Sequence, residues 1–336
     1  MKHINFIASG TIQYNAIVHN RHDDAEQTFL QVLKDSEFSP GDFVGKKIII
    51  DFRGEGSGEV EAEPLVNVIK KLSTQDLMVL FNASVEVENL PYHAMCMPTW
   101  MTTHCNWLSY IESVPYCDII DRKFLCLMRR PNDARAKTAK SLLELGNSVR
   151  MSFGSQGADY TNSLYRDWFP EVTLPITIDG IVERTDGEIL LHNHVSSVFH
   201  SCLFNIVAET SSQSDAFYTQ TIFITEKSFK AFALRQIPIW VAMPGLVAEV
   251  RKLGFDMFDD IVDHSYDSIP DEDLRIHAVM QQVKKLNHDL TLDQCQSMRR
   301  DLQDRLQKNF ELVQYHRDQA HPLHIKIVHD FEHRIR

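Results

Sequence analysis

Glu209, Thr225, Glu226 and Lys227 are residues whose types and spacing can do chemistry together. Glu209 follows an apolar run, Leu203 to Ala208, that reads as a buried strand. After a polar spacer, Thr225-Glu226-Lys227 opens a helical stretch. A second apolar run, Ile237 to Ala242, comes next, followed by a Pro244-Gly245 turn and another helix. This strand–helix–strand pattern gathers its charges at one end. In open α/β sheets ligands sit beyond the carboxyl ends of the strands, where helix N-termini offer N–H groups to anions. Each residue taken singly is also what a strand end or a solvated first turn holds, since the helix dipole favours Glu there. The combination is what points to a site.

The stretch Arg122 to Arg135 has the same layout. An apolar strand (Phe124 to Met128) meets a Pro131-Asn132-Asp133 turn and enters a helix (Ala134 to Leu145). Arg129, Arg130 and Arg135 lie at that junction, and guanidinium groups suit bidentate phosphate recognition.

The elements that must position these residues alternate between β and α. The N-terminal region opens with a short strand and turn (Ile4 to Gly10), then a helix around Ala25 to Leu33, then a strand at Lys47 to Asp51. A glycine-rich loop holds Gly54, Gly56 and Gly58, a helix spans Val60 to Leu72, and Leu77 to Phe81 reads as another buried strand. Alternation of this kind implies parallel sheets covered by helices. The expected fold class is α/β, with two Rossmann-like domains facing each other across a cleft and helices at the C-terminus. The boundaries are 1–118, 119–300 and 301–336, with Tyr116 to Arg122 as the crossover. The last region packs back as helices, read over Asp271 to Leu286 and Asp293 to Tyr315.

The segment around Glu209, Thr225-Glu226-Lys227 and Ile237-Pro238-Ile239-Trp240-Val241 resembles the donor-binding motif of the α1,3-fucosyltransferase family and its soluble bacterial and phage relatives. That family has a strand ending in Glu, a spacer, Thr-Glu-Lys, a helix, and a strand rich in Val, Ile and Pro. The resemblance covers roughly the second half of the chain and implies a GT-B fold and an inverting glycosyltransferase that uses a nucleoside diphosphate sugar as co-substrate. Its first donor-domain strand is followed by an Arg that meets the diphosphate, which by position is Arg135, with Arg129 beside it. Lys227 would share the diphosphate, while Thr225, Glu226 and Glu209 would complete the donor site through hydrogen bonds. The base that takes the proton from the acceptor hydroxyl is a Glu or Asp of the N-terminal domain. Glu55 is the first choice and Asp51 the second. The spacer between Glu209 and Thr225 is longer and more polar than the family's usual form, which leaves the sugar open.

No cofactor is expected beyond the nucleotide sugar, and no metal is required, since Arg and Lys can neutralise the leaving diphosphate. His192, His194 and His200 suggest an HxH site, but no Asp, Glu or Cys motif completes it. The acidic pairs Asp23-Asp24 and Asp259-Asp260 follow no convincing strand and read as solvated turns. A Rossmann oxidoreductase is disfavoured because the loop after Asp51 is not GxGxxG. Apolar residues make up 43% of the 336, enough for a sizeable core, and the formal charge is −12. That charge opposes the phosphate-driven attraction that dominates DNA affinity. The expected acceptor is therefore a saccharide or another hydroxyl compound. The alternatives are a hydroxymethylated base in phage DNA, or a non-catalytic nucleotide- or carbohydrate-binding module. Six cysteines lack CxxC spacing, and Cys126 and Cys202 read as buried thiols. With no signal-peptide layout and no run of about 20 apolar residues, no membrane partner is expected and the location is cytoplasmic, the host's cytoplasm if a phage encodes the chain.

Overall fold

A computed structural model of the chain describes residues 4–8, 11–15, 47–52, 77–81 and 93–96, then 116, 118–154, 163–176, 199–209, 222 and 224–332. By its internal contacts the chain divides into two units. The first holds Met1–Thr103, Asp215–Ile224 and Arg317–Arg336, the second His104–Ser214 and Thr225–His316.

The described part of the first unit contains a five-stranded sheet in the order β1-β2-β3-β4-β5. Its strands are β1 (Ile4–Ala8), β2 (Thr11–Asn15), β3 (Lys47–Phe52), β4 (Leu77–Phe81) and β5 (His93–Cys96). β1 runs antiparallel to β2, and β2 to β5 pair in parallel. Two antiparallel strands stand where the sequence predicts a single strand and turn. Asp51 lies near the carboxyl end of β3, in register with Asn15 and Leu80. Glu55, the glycine loop and the helices expected at 25–33 and 60–72 lie outside the described residues.

The second unit carries a wholly parallel four-stranded sheet in the order β7-β6-β8-β9. Its strands are β6 (Arg122–Met128), β7 (Val149–Phe153), β8 (Cys202–Ala208) and β9 (Ile237–Val241). Every residue of β8 and β9 is buried, the continuous apolar pattern of strands covered on both faces. Phe124 and Phe204 stack across β6 and β8 with centroids 5.3 Å apart, and Cys126 and Cys202 are buried beside them. Pro238 is tolerated inside β9 because, among the described residues, β9 is the edge strand, where a missing N–H costs no ladder bond on its open side.

Helix α1 (Asp133–Leu143) connects β6 to β7, α2 (Glu226–Ala233) leads into β9, and α3 (Leu246–Lys252) follows it. Helices α4 (Glu272–Asp289), α5 (Leu292–Asp301) and α6 (Gln303–Glu332) complete the described chain. The single helix expected over 293–315 is in fact two, broken near Leu302. A Thr291–Gln294 capping box starts α5 one residue earlier than Asp293. Among the described residues no helix is long and apolar enough to cross a membrane.

Helix α2 is held by its aromatic face. Phe232 stacks on Phe255 at 4.4 Å, Phe229 lies 5.5 Å from the same ring, and Phe232 also meets Trp240 of β9. Fully burying a phenylalanine contributes roughly 1.5–3 kcal/mol, so two of them outweigh what so short a helix lacks in intrinsic stability.

Candidate functional site

The order β7-β6-β8-β9 reverses direction between β6 and β8. From β6 the chain moves outward to β7, then returns to build β8 and β9 on the other side. The loops leaving β6 and β8 therefore diverge, and the crevice beyond their carboxyl ends is where open α/β sheets bind ligands. Arg129, Arg130 and Arg135 belong to the β6 end, and Glu209 to the β8 end. Thr225, Glu226 and Lys227 start the helix that leads from β8 to β9. Six expected donor-site residues, Arg129, Arg135, Glu209, Thr225, Glu226 and Lys227, thus sit at one edge of one sheet.

Within that group the structure separates framework from surface. Asn132 caps α1, its side chain accepting from the Arg135 amide at 2.8 Å. The Arg135 side chain is only 3% exposed. Its Nη1 donates to the Arg130 carbonyl at 2.9 Å and its Nη2 to the Ala208 carbonyl at 2.8 Å. Arg135 therefore ties the β6 loop to the last residue of β8, across the point where the strand order reverses. Arg129 is half-buried and Arg130 exposed.

Glu209 is 1% exposed and its amide donates to the Val241 carbonyl at 3.0 Å, which locks the β8 end to β9. Its carboxylate accepts from the Thr225 hydroxyl and from the Ser228 hydroxyl, each at 2.6 Å. Thr225 caps α2, accepting from the Lys227 amide at 3.2 Å, and the Lys227 ammonium lies 3.4 Å from the same hydroxyl. The indole of Trp240 donates to Ser228 at 3.2 Å. Lys227 itself is half-buried. Glu226 opens the helix, while its side chain lies outside the described residues' side chains. Ser228 is absent from the residues the sequence singles out, because a buried Ser inside a helix carries no motif, and Trp240 figures there only as part of the apolar strand. Their signal is the Ser one turn past the cap, facing a Trp in the following strand.

The loop after β9 is braced in the same manner. Arg275 of α4 donates to the carbonyls of Ala242 and Pro270, at 2.8 and 3.0 Å. The Asp267 carboxylate accepts from the amides of Val247 and Ala248 at the start of α3. Burial pushes the Asp267 carboxyl up, opposed by those amides. The first turn of α3 is thus already capped by protein.

Asp51 stands in the first unit, near the carboxyl end of its strand. Among the described residues no three His, Cys, Asp or Glu side chains converge as a metal site. His200 is buried at the amino end of β8, away from the carboxyl edge, and the other two histidines of the HxH group lie outside the described residues.

Comparison of the chain with protein-family models and with curated proteins finds no match. Among solved structures, a crystal structure of an α1,3-fucosyltransferase with GDP-fucose aligns with a TM-score of 0.32 and 12% identity, covering 85% of this chain and 92% of that one. A likeness at that level says nothing of this chain's ligand.

Proposed function

We propose that this chain is an inverting glycosyltransferase that moves a sugar from a nucleoside diphosphate sugar to a hydroxyl acceptor, a saccharide rather than DNA. The observation that carries the reading is the gathering of Arg129, Arg130 and Lys227 with two capped helix starts at the point where the strand order of the second sheet reverses. Cations and helix N-termini together suit a diphosphate, which needs several charge-assisted donors. The motif resemblance through Glu209, Thr225-Glu226-Lys227 and the β9 strand supports the sugar-nucleotide class.

In this reading the acceptor oxygen attacks the anomeric carbon from the face opposite the diphosphate. As that C–O bond forms, the bond to the diphosphate oxygen breaks, and the electron pair leaves with the nucleoside diphosphate. Lys227 and Arg129 stabilise the charge that grows on the leaving oxygens, which is where preorganised donors lower a barrier most. Arg135 and Glu209 act from behind, as framework. The acceptor's proton passes to a carboxylate, assigned from the sequence to Glu55 or, failing that, Asp51.

Incubation of the protein with a panel of nucleoside diphosphate sugars, with oligosaccharides or hydroxymethylcytosine-containing DNA as acceptors, tests the reading by product mass. The expected result is a saccharide that gains one sugar residue, with equal activity in excess EDTA. Glycosylation of modified DNA alone, falling steeply with salt, replaces the saccharide reading with the DNA one. Activity that vanishes with EDTA and returns with Mn²⁺ overturns the metal-free mechanism, and nucleotide binding without transfer to either acceptor leaves a binding module.

A further inference from the structure

We propose that Glu209 is a positioning residue, a buried carboxylate that fixes the first turn of α2 and with it Lys227, and that it does not touch the ligand. The inference rests on the nucleotide-sugar reading and deepens it. An ionised carboxylate only accepts, so each oxygen of Glu209 calls for a donor. The two donors are hydroxyls, Thr225 at 2.6 Å and Ser228 at 2.6 Å, and each has one proton to give. Their protons are therefore committed to Glu209, and their lone pairs face the other way. The lone pair of Thr225 receives the Lys227 amide, and that of Ser228 receives the Trp240 indole. One carboxylate so sets the direction of four hydrogen bonds that join the end of β8, the start of α2 and β9. Lys227 is the next residue but one from the cap and inherits its place from this arrangement.

Glu209→Gln keeps the shape and inverts one bond. One carboxylate oxygen becomes an amide N–H₂, a donor aimed at a hydroxyl that already receives another donor. The mismatch is confined to the clamp, so its effect on a ligand must travel through α2.

The test is a double-mutant cycle read by calorimetry, with GDP and UDP titrated separately into wild type, Glu209→Gln, Lys227→Met and the double variant. Each single change is expected to weaken the better-binding nucleotide about fivefold or more, and the double variant to bind within about twofold of Lys227→Met, because coupled residues are not additive. Thr225→Val, which removes the hydroxyl that Glu209 accepts from, is expected to bind like Glu209→Gln. Hydrogen exchange is expected to quicken in the amides of α2 and not in those of α4 in Glu209→Gln. Losses that multiply in the double variant mean that Glu209 meets the ligand directly, which overturns the proposal. Unchanged α2 exchange with unchanged affinity overturns it as well. A wild type that binds neither nucleotide overturns the nucleotide reading, while the exchange comparison still decides whether the carboxylate holds the helix.

Discussion

His200 stands just before β8, 1% exposed, edge-on to the Tyr116 ring at 5.5 Å. Burial, with the nearby cations of Arg299 and Arg235, pulls its pKa down to about 4. In the unfolded chain the imidazole takes its proton near 6.5, so the unfolded state binds more protons between the two values. Stability is whole above pH 6.5 and is lost as the pH falls toward 4, by up to about 3 kcal/mol. Urea unfolding at pH 7 and 4.5 is expected to show a drop that shrinks by about 2 kcal/mol in His200→Leu, and an identical drop in both proteins contradicts the assignment. The buried arginines explain what the sequence could and could not tell. The positions of Arg135 and Lys227 at strand-to-helix junctions were legible from the apolar runs that precede them. That Arg135 ends on the carbonyls of Arg130 and Ala208 was not. An arginine awaiting a phosphate and one satisfying a strand end occupy the same place in a motif and differ only in three dimensions.

Helix α2 closes through an arginine where a glycine is usual. Arg235 has φ +54°, its amide donates to Phe232 and that of Gln236 donates to Ala231, the paired bonds of a Schellman motif. The left-handed backbone costs roughly 1–2 kcal/mol for a residue with a Cβ. The side chain offsets that cost. Its guanidinium lies 4.0 Å from the Phe310 ring and 4.9 Å from Tyr116, and its Nε donates to Gln307 at 2.9 Å. Arg235→Ala keeps the strain and loses these contacts, so denaturant unfolding is expected to report a loss of about 1–3 kcal/mol. Arg235→Gly loses the contacts but relieves the backbone, and is expected to be the more stable of the two by about 1 kcal/mol. Equal stabilities would contradict the strain argument. No sequence pattern announces a non-glycine helix stop, whereas β8 and β9 were plain from unbroken apolar runs. The break between α5 and α6 was hidden because Leu302 and Leu306 continue one helical stripe across it.

At the scale of the whole molecule, the chain carries cations at a local edge of the second unit against a net charge of −12. A small anionic ligand needs only that local edge, while a long nucleic acid answers to the wider field. The proposed chemistry is divided by role. Glu55→Gln is expected to leave nucleotide affinity intact and to lower turnover by about 10²-fold or more, and full activity in that variant moves the base to Asp51. The proposed chemistry requires that the carboxyl edge between β6 and β8 hold a diphosphate. It is tested most directly by calorimetry of GDP and UDP beside guanosine and uridine, on wild type and on a folded Arg129→Ala/Lys227→Ala double variant. Wild type is expected to bind one diphosphate well above its nucleoside, and the double variant to lose that advantage by about tenfold or more while nucleoside affinity holds, since charge-assisted hydrogen bonds are worth roughly 1.5–3 kcal/mol each. A double variant that keeps the full preference for the diphosphate would contradict it.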